Sequence, residues 1–365
     1  MRCDTEEKQL WETAMIKELK SLRDLGSFKM VPRQRGSNVL QSTWAFKKKR
    51  YPDGELKKYK ARFCVRGDQQ IEGLDVFETY APAVSWITVR ILLVLSLVLG
   101  LATQQVDYTK AFCQAPLEQT VFVELPKGFE VPNKVLHLQK SVYGLRQSPL
   151  NFYKHLREGL ENRGFAKSNH DDCLFTDEKI MVLFWVDDCI FYAKDDASID
   201  TMISSLKDEF LLEREEDMAG FLGLKITRNV EKGTVTLLQT GLIDKILVAT
   251  QMEDCNLKYT PADKVPLDKD LDGDQCCEEW DYRSIVGMLL YLAGSTRPDI
   301  SYAVHQCARF SHQPRASHEV GVKHIIRYLK GTRDKGLVMK PLKDDLKLDL
   351  FADADFPVYM LQKIS

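Results

Sequence analysis

The chain has 365 residues, 44% hydrophobic and 28% charged, the make-up of a globular protein with room for two or three compact units and not of a disordered or fibrous one. A formal net charge of −2 gives no overall pull towards nucleic acid or an anionic membrane, so any polyanion-binding surface has to be a local cluster. The nine cysteines contain no C-x-x-C pair and no zinc-type spacing, which argues for free thiols in a reducing, intracellular compartment.

At the N-terminus, MRCDTEEKQLWETAM lacks the apolar core of a signal peptide, which predicts a protein that is not secreted. Over residues 5–26, Leu10, Ala14, Leu19, Leu22 and Leu25 recur between charges and predict an amphipathic helix ending at Gly26. In WAFKKKRYPDGELKKYKARFCVRGD, Pro52-Asp53-Gly54 supplies turn chemistry between two strand-like runs, which predicts a β-hairpin. Its second strand alternates, with Tyr59, Ala61, Phe63 and Val65 on one face and Lys60, Arg62 and Arg66 on the other. Residues 44–66 hold nine basic side chains against two acidic ones, the local cluster that the net charge hides. Such a cluster suits phosphate binding; it equally suits a solvated edge whose lysines deter aggregation.

The run ILLVLSLVLGLA, 91–102, is shorter than the roughly 20 residues of a membrane span and predicts a core helix over 85–103, with no membrane partner. Next come a short strand in QQVDYTKAF, a helix over 151–163, two short strands over 180–194 and a helix over 198–212. Residues 262–280 are acidic and turn-rich, as in a linker, and 281–330 read as helices interrupted at Arg297-Pro298. Strands and helices that do not alternate regularly predict an α+β fold with a largely antiparallel sheet. No Gly-rich phosphate loop and no H-E-x-x-H occurs.

IMVLFWVDDCIFYAK, 180–194, sets Asp187 and Asp188 between two apolar arms. A hairpin with both carboxylates in its turn places the charges at a sheet edge, with the arms buried on both faces. Asp also tolerates turns for purely conformational reasons. Two adjacent carboxylates repel, however, and a hard divalent cation relieves that repulsion. Two-metal sites draw a further carboxylate from another element, and Asp107 at the end of its strand is the candidate.

QQVDYTKAF, SVYGLRQSPLNFY, FWVDDCIFYA and FLGLKITRN, in this order, resemble the reverse transcriptase of copia-type LTR retrotransposons. The likeness extends upstream through the basic hairpin, and downstream through SIVGMLLYLAGSTRPDISYAVHQCARFSHQP and HIIRYLKGTRDKGL. The resemblance implies an α+β right-hand polymerase with fingers, palm and a small thumb, then a mainly helical connection region and the truncated start of a ribonuclease H. It divides the chain into a helical lead-in (1–39), fingers and palm (40–225), a thumb-like segment (226–262), a linker (263–280), a connection region (281–345) and a ribonuclease H stub (346–365).

By motif, Asp107, Asp187 and Asp188 match the family's metal-binding aspartates, holding two Mg²⁺ ions for which Mn²⁺ can substitute. The implied reaction is RNA- and DNA-directed DNA synthesis, joining a dNTP to a primer 3′-hydroxyl. The implied partners are an RNA template, a primer, dNTPs and other proteins of the same polyprotein, in a cytoplasmic virus-like particle or the nucleus. The main-chain carbonyl of Tyr108 is implied as an extra metal ligand; the dNTP contacts match Lys60, Arg62, Tyr108, Phe112 and Gln147, and the template and primer contacts match Ser148, Pro149, Phe221, Leu222 and Gly223. Trp185 and Tyr108 depart from the more usual Tyr and Val, without loss of charge. Asp353 matches the first ribonuclease H carboxylate, and with ten residues after Asp355 the expectation is polymerase without RNA degradation. The chain reads as a segment of a polyprotein. The alternative is a remnant of such an element that keeps a nucleic-acid-binding polymerase fold without activity.

Overall fold

The computed structural model describes residues 5–50, 56–215, 221–229, 231–276 and 279–341. Asp353 and the segment 346–365 lie outside the described residues.

Helix α1 (Thr5–Asp24) ends at Gly26, whose φ of 67° is open to glycine at no steric cost. Leu22 is its buried apolar anchor, with Trp11, while Leu10 is exposed. Strands β1 (Phe28–Pro32) and β2 (Val39–Leu40) follow, then the basic hairpin of β3 (Ser42–Arg50) and β4 (Leu56–Val65), which pair antiparallel and form a two-stranded sheet of their own. The alternation in β4 is as expected: Ala61, Phe63 and Val65 are buried.

Helix α2 (Trp86–Val98) starts on Ser85, whose side chain accepts a hydrogen bond from the Ile87 amide at 3.2 Å. It stops five residues before the expected end, because Gly100 turns the chain at φ 61° and residues 102–103 already pair with the neighbouring strand. That strand is β5 (Ala102–Tyr108), so Asp107 sits inside a strand as its penultimate residue. Strands β6 (Phe122–Val123) and β7 (Lys134–Leu138) complete a four-stranded sheet in the order β1-β7-β6-β2.

Helix α3 (Ser148–Glu161) leads to β8 (Ala166–Lys167), β9 (Leu174–Thr176), β10 (Ile180–Trp185) and β11 (Asp188–Ala193). Helix α4 (Asp196–Lys207) is shorter than expected, and β12 (Leu212–Arg214) takes its predicted C-terminal end. Together these strands form a six-stranded antiparallel sheet, β12-β5-β11-β10-β9-β8. Both faces are covered, which is why β10 and β11 are apolar throughout. Val182, Phe184, Cys189 and Phe191 pack under α3 and α4; Leu183, Ile190 and Tyr192 pack under α2.

The rest of the chain adds β13 (Lys225–Asn229), β14 (Thr234–Leu238), α5 (Thr240–Ala249), α6 (Tyr282–Ser295), α7 (Ser301–Ala308), α8 (Ala316–Gly331) and β15 (Leu337–Met339). β15 pairs with β14, so a strand after the last helix closes a sheet begun much earlier in the chain. Helix α5, from the thumb-like segment of the sequence reading, shares one hydrophobic core with α6, α7 and α8. Among the described residues no helix is long and apolar enough to cross a membrane, and seven cysteines are free thiols.

Candidate active site

The register of the six-stranded sheet builds the site. Asp188 on β11 lies directly opposite Asp107 on β5, and on its other side Asp107 faces Glu213 of β12. Trp185 pairs with Asp188, leaving Val186 and Asp187 as a two-residue turn. Sequence reasoning put both aspartates in the turn; in fact Asp187 alone is there, and Asp188 opens the strand. Val186 takes a φ of 57°, a conformation that costs a β-branched residue energy and that glycine usually supplies in such hairpins. The surrounding core fixes this strained turn, and the Tyr108 amide ties it down by donating to the Asp187 carbonyl at 2.9 Å.

Electrostatics mark these carboxylates. Burial raises the Asp188 carboxyl to about 6, and the charges of Asp187 and Asp107 push it the same way. Two donors oppose that rise: the Gln105 side-chain amide at 3.3 Å and the Leu222 backbone amide. Asp107 is also raised, first by burial and then by Asp187 and Glu215, while Lys60 and Lys49 of the basic hairpin pull it down. The hairpin therefore overhangs the carboxylates closely enough to be felt.

Half-buried carboxylates whose pKa values rise through burial and mutual repulsion have the donor chemistry that a hard divalent cation takes. Their backbones converge, yet among the described residues no three acidic, His or Cys side chains gather into one ligand set.

The other expected site residues divide into two groups. Phe112 is half-buried with its ring 5.3 Å from that of Tyr143, and Arg62 lies over the same Tyr143 ring at 4.8 Å with its Nε buried and unpartnered. Lys60 is next to them on the same strand face, its ammonium lowered to about 8 by burial and then by Arg62 and Lys49. Phe221 and Leu222 are buried against Leu183, Ile190 and Tyr192, with Leu222 at φ 55° and Gly223 at φ 69° forming the turn beside Asp188.

The second group points elsewhere. The Tyr108 side chain is fully buried between Phe152 and Phe210, which leaves only its main chain near the carboxylates. Gln147 is 2% exposed, donates to the Asp75 carbonyl at 2.8 Å and accepts from Gln70 at 2.9 Å, so its amide is already used within the fold. The buried Ser148 hydroxyl donates to the Val142 carbonyl, and Pro149 occupies the first turn of α3. The Gln147 amide and the Ser148 hydroxyl are thus both engaged in internal hydrogen bonds.

Sequence reasoning missed three supports of the site. Gln105 sits two residues before Asp107 and so shares its strand face, a signal that was available. Lys110, at φ 54°, forms a 2.7 Å ion pair with the buried Glu18 of α1, anchoring the loop that carries Phe112. Gly67 and Gly144 let two backbones cross: a Cβ on Gly144 would lie 2.1 Å from the Val65 carbonyl oxygen, and one on Gly67 2.1 Å from that of Gly144.

The reverse transcriptase (RNA-dependent DNA polymerase) family profile matches residues 26–264. A retrovirus-related Pol polyprotein from transposon RE1 of Arabidopsis thaliana is 33% identical over 95% of this chain and 24% of its own length. One from transposon TNT 1-94 of Nicotiana tabacum is 33% identical over 89% of this chain and 26% of its own. The chain thus spans about a quarter of the length of these relatives. A foamy viral protease–reverse transcriptase solved with double-stranded DNA aligns with 87% of this chain and 48% of its own, at 13% identity and a TM-score of 0.46. With the family profile covering most of the sequence, the chain belongs to the reverse transcriptases of copia-type retrotransposon Pol polyproteins.

Proposed function

We propose that the chain is an RNA- and DNA-directed DNA polymerase that joins dNTPs to a primer 3′-hydroxyl. The observation that carries this reading is the register of Asp188 opposite Asp107, beside a strained turn that holds Asp187. In this reading the six-stranded sheet is the palm, the basic hairpin belongs to the fingers, and the strands and helix after residue 225 supply the thumb and lead to the connection helices. Asp107, Asp187 and Asp188 would hold the divalent cations, Mg²⁺ or Mn²⁺. Bound there, such ions supply activation of the 3′-hydroxyl and neutralise charge on the triphosphate.

The chain's own residues do the remaining work. Gln105 and the Leu222 amide orient Asp188. Lys60 and Arg62 face the carboxylates from the hairpin and take the triphosphate oxygens. Phe112, held against Tyr143, lies under the incoming sugar, where it excludes a 2′-hydroxyl. The turn Phe221-Leu222-Gly223 sets the primer end. The second reading is a nucleic-acid-binding protein of the same fold without turnover, whose binding the basic hairpin alone would serve.

Primer extension on poly(rA)/oligo(dT) with Mg²⁺ or Mn²⁺ separates the two. The wild-type chain should extend, and Asp107→Asn and Asp188→Asn should each lower incorporation by about 100-fold or more with the circular dichroism spectrum unchanged. Undiminished extension by either variant would sink the assignment.

A further inference from the structure

Hairpin β3–β4 sorts its charges by face. On the face turned to α1, Trp44, Phe46, Tyr59 and Phe63 pack together with Trp11, and Lys48 is neutralised by Glu7 at 2.7 Å. On the opposite face the register sets lysine directly across from lysine, in two successive rungs: Lys47 opposite Lys60, and Lys49 opposite Lys58. Among the described residues none of these four has a carboxylate partner.

Like charges directly opposite destabilise a strand pair, so two such rungs work against the hairpin's own stability. A solvated edge that merely deters aggregation does not call for that arrangement, since charges spaced along the edge would serve without facing each other. A polyanion lying along this face removes the repulsion. Alternate residues of a strand are roughly 6.6 to 6.8 Å apart, a spacing of the same order as that of successive phosphates on an extended single strand. The row also has a direction. Its inner end is Arg62 with its unpartnered Nε over the Tyr143 ring, and its charges are felt at Asp107.

We propose that Lys47, Lys49 and Lys58 form a backbone track for the single-stranded template as it approaches the carboxylates. The track rests on the polymerase reading for its direction, but its ligand class follows from the charge pattern alone: a single-stranded nucleic acid bound through phosphates, without base readout. Lys60 and Arg62 remain with the incoming nucleotide, so the three outer lysines lie outside the reacting group.

The test measures equilibrium binding of the full chain to a labelled DNA primer annealed to an RNA template, with and without a single-stranded template overhang, across a salt series. Neutralising all three lysines (Lys47→Gln, Lys49→Gln, Lys58→Gln) should weaken binding of the overhang substrate by about tenfold or more and reduce its salt slope by roughly 2, at about 0.7 per lost single-strand phosphate contact. Binding of the duplex without an overhang should stay the same, and the corresponding triple Lys→Arg variant should keep the overhang preference. Equal losses on both substrates would overturn the track, as would unchanged binding, or a raised KM for dNTP with the overhang preference intact. Because binding is read without turnover, a chain that fails to extend a primer defeats the polymerase reading and leaves this measurement decisive for the track.

Discussion

Lys60 shows how one side chain's surroundings set a testable pH limit. Burial and the neighbouring cations hold its ammonium at about 8, so it is charged below that pH and neutral above it. A group that grips triphosphate oxygens as a cation loses its hold as pH rises through 8. The expected outcome is that kcat/KM for dNTP falls above pH 8 in the wild-type chain, since this ratio reports groups of the free enzyme. In Lys60→Arg that alkaline fall should vanish, because a guanidinium stays protonated throughout the range. A pH profile of single-nucleotide incorporation checks this; the same alkaline limb in both proteins would remove Lys60 from the triphosphate site. The three aspartates stood out because charged groups in apolar company are conspicuous in a sequence, whereas Lys60, one of many cations in its run, was nominated only by the family resemblance. Gln105 could have been added from its i, i+2 spacing to Asp107, whereas the Leu222 backbone could not, because its role depends on which turn lies beside Asp188.

At the scale of elements, the hairpins were legible because turn chemistry and two-residue alternation are local. The end of α2 was not: Leu99-Gly100-Leu101 continues an apolar run, and only pairing of residues 102–103 with β11 turns that run into a strand. The internal partners of Gln147 were hidden for a similar reason. Its motif marks the start of α3 correctly, but the partners that absorb its amide, Gln70 and Asp75, come from a distant loop.

The glycine crossing is the same kind of long-range fact. Gly144 has a φ of 95° and touches the backbone of Val65, whose amide donates to the Tyr143 carbonyl at 2.8 Å. This contact joins the loop before α3 to the end of the basic hairpin and thereby sets Arg62 against Tyr143. Gly144→Ala would force backbone against backbone at a positive φ, and a loss on the order of 3 kcal/mol or more is expected. Urea unfolding should show the lower midpoint. Gly26→Ala, also at positive φ but with open space around its Cβ, should cost only about 1 kcal/mol. Equal costs for the two would mean that the crossing is not under steric control.

Across the whole molecule, the helical unit and the carboxylates meet at one turn. The Tyr291 hydroxyl of α6 donates to the Leu222 carbonyl at 2.6 Å, and the Leu222 backbone, beside Asp188, lowers the pKa of its carboxyl. The same helix is tied to α2, where Arg90 donates to the Gly294 carbonyl at 2.6 Å and Trp86 lies 6.3 Å from the Tyr291 ring. Helices remote from the three aspartates in sequence therefore hold the Leu222 turn, which in the proposed function sets the primer end. Tyr291→Phe removes a single neutral hydrogen bond and keeps the ring in place, a change of about 1 kcal/mol, or roughly fivefold in an equilibrium constant. If this turn positions the primer terminus, the loss should fall on the primer. KM for primer–template should rise about fivefold and kcat should fall, while KM for dNTP stays unchanged because Lys60 and Arg62 belong to the separate basic hairpin. Steady-state kinetics with each substrate varied in turn separates these effects. A rise confined to the dNTP KM would place the Leu222 turn on the nucleotide side of the site, and a fall in stability with kinetics unchanged would reduce Tyr291 to a structural tie.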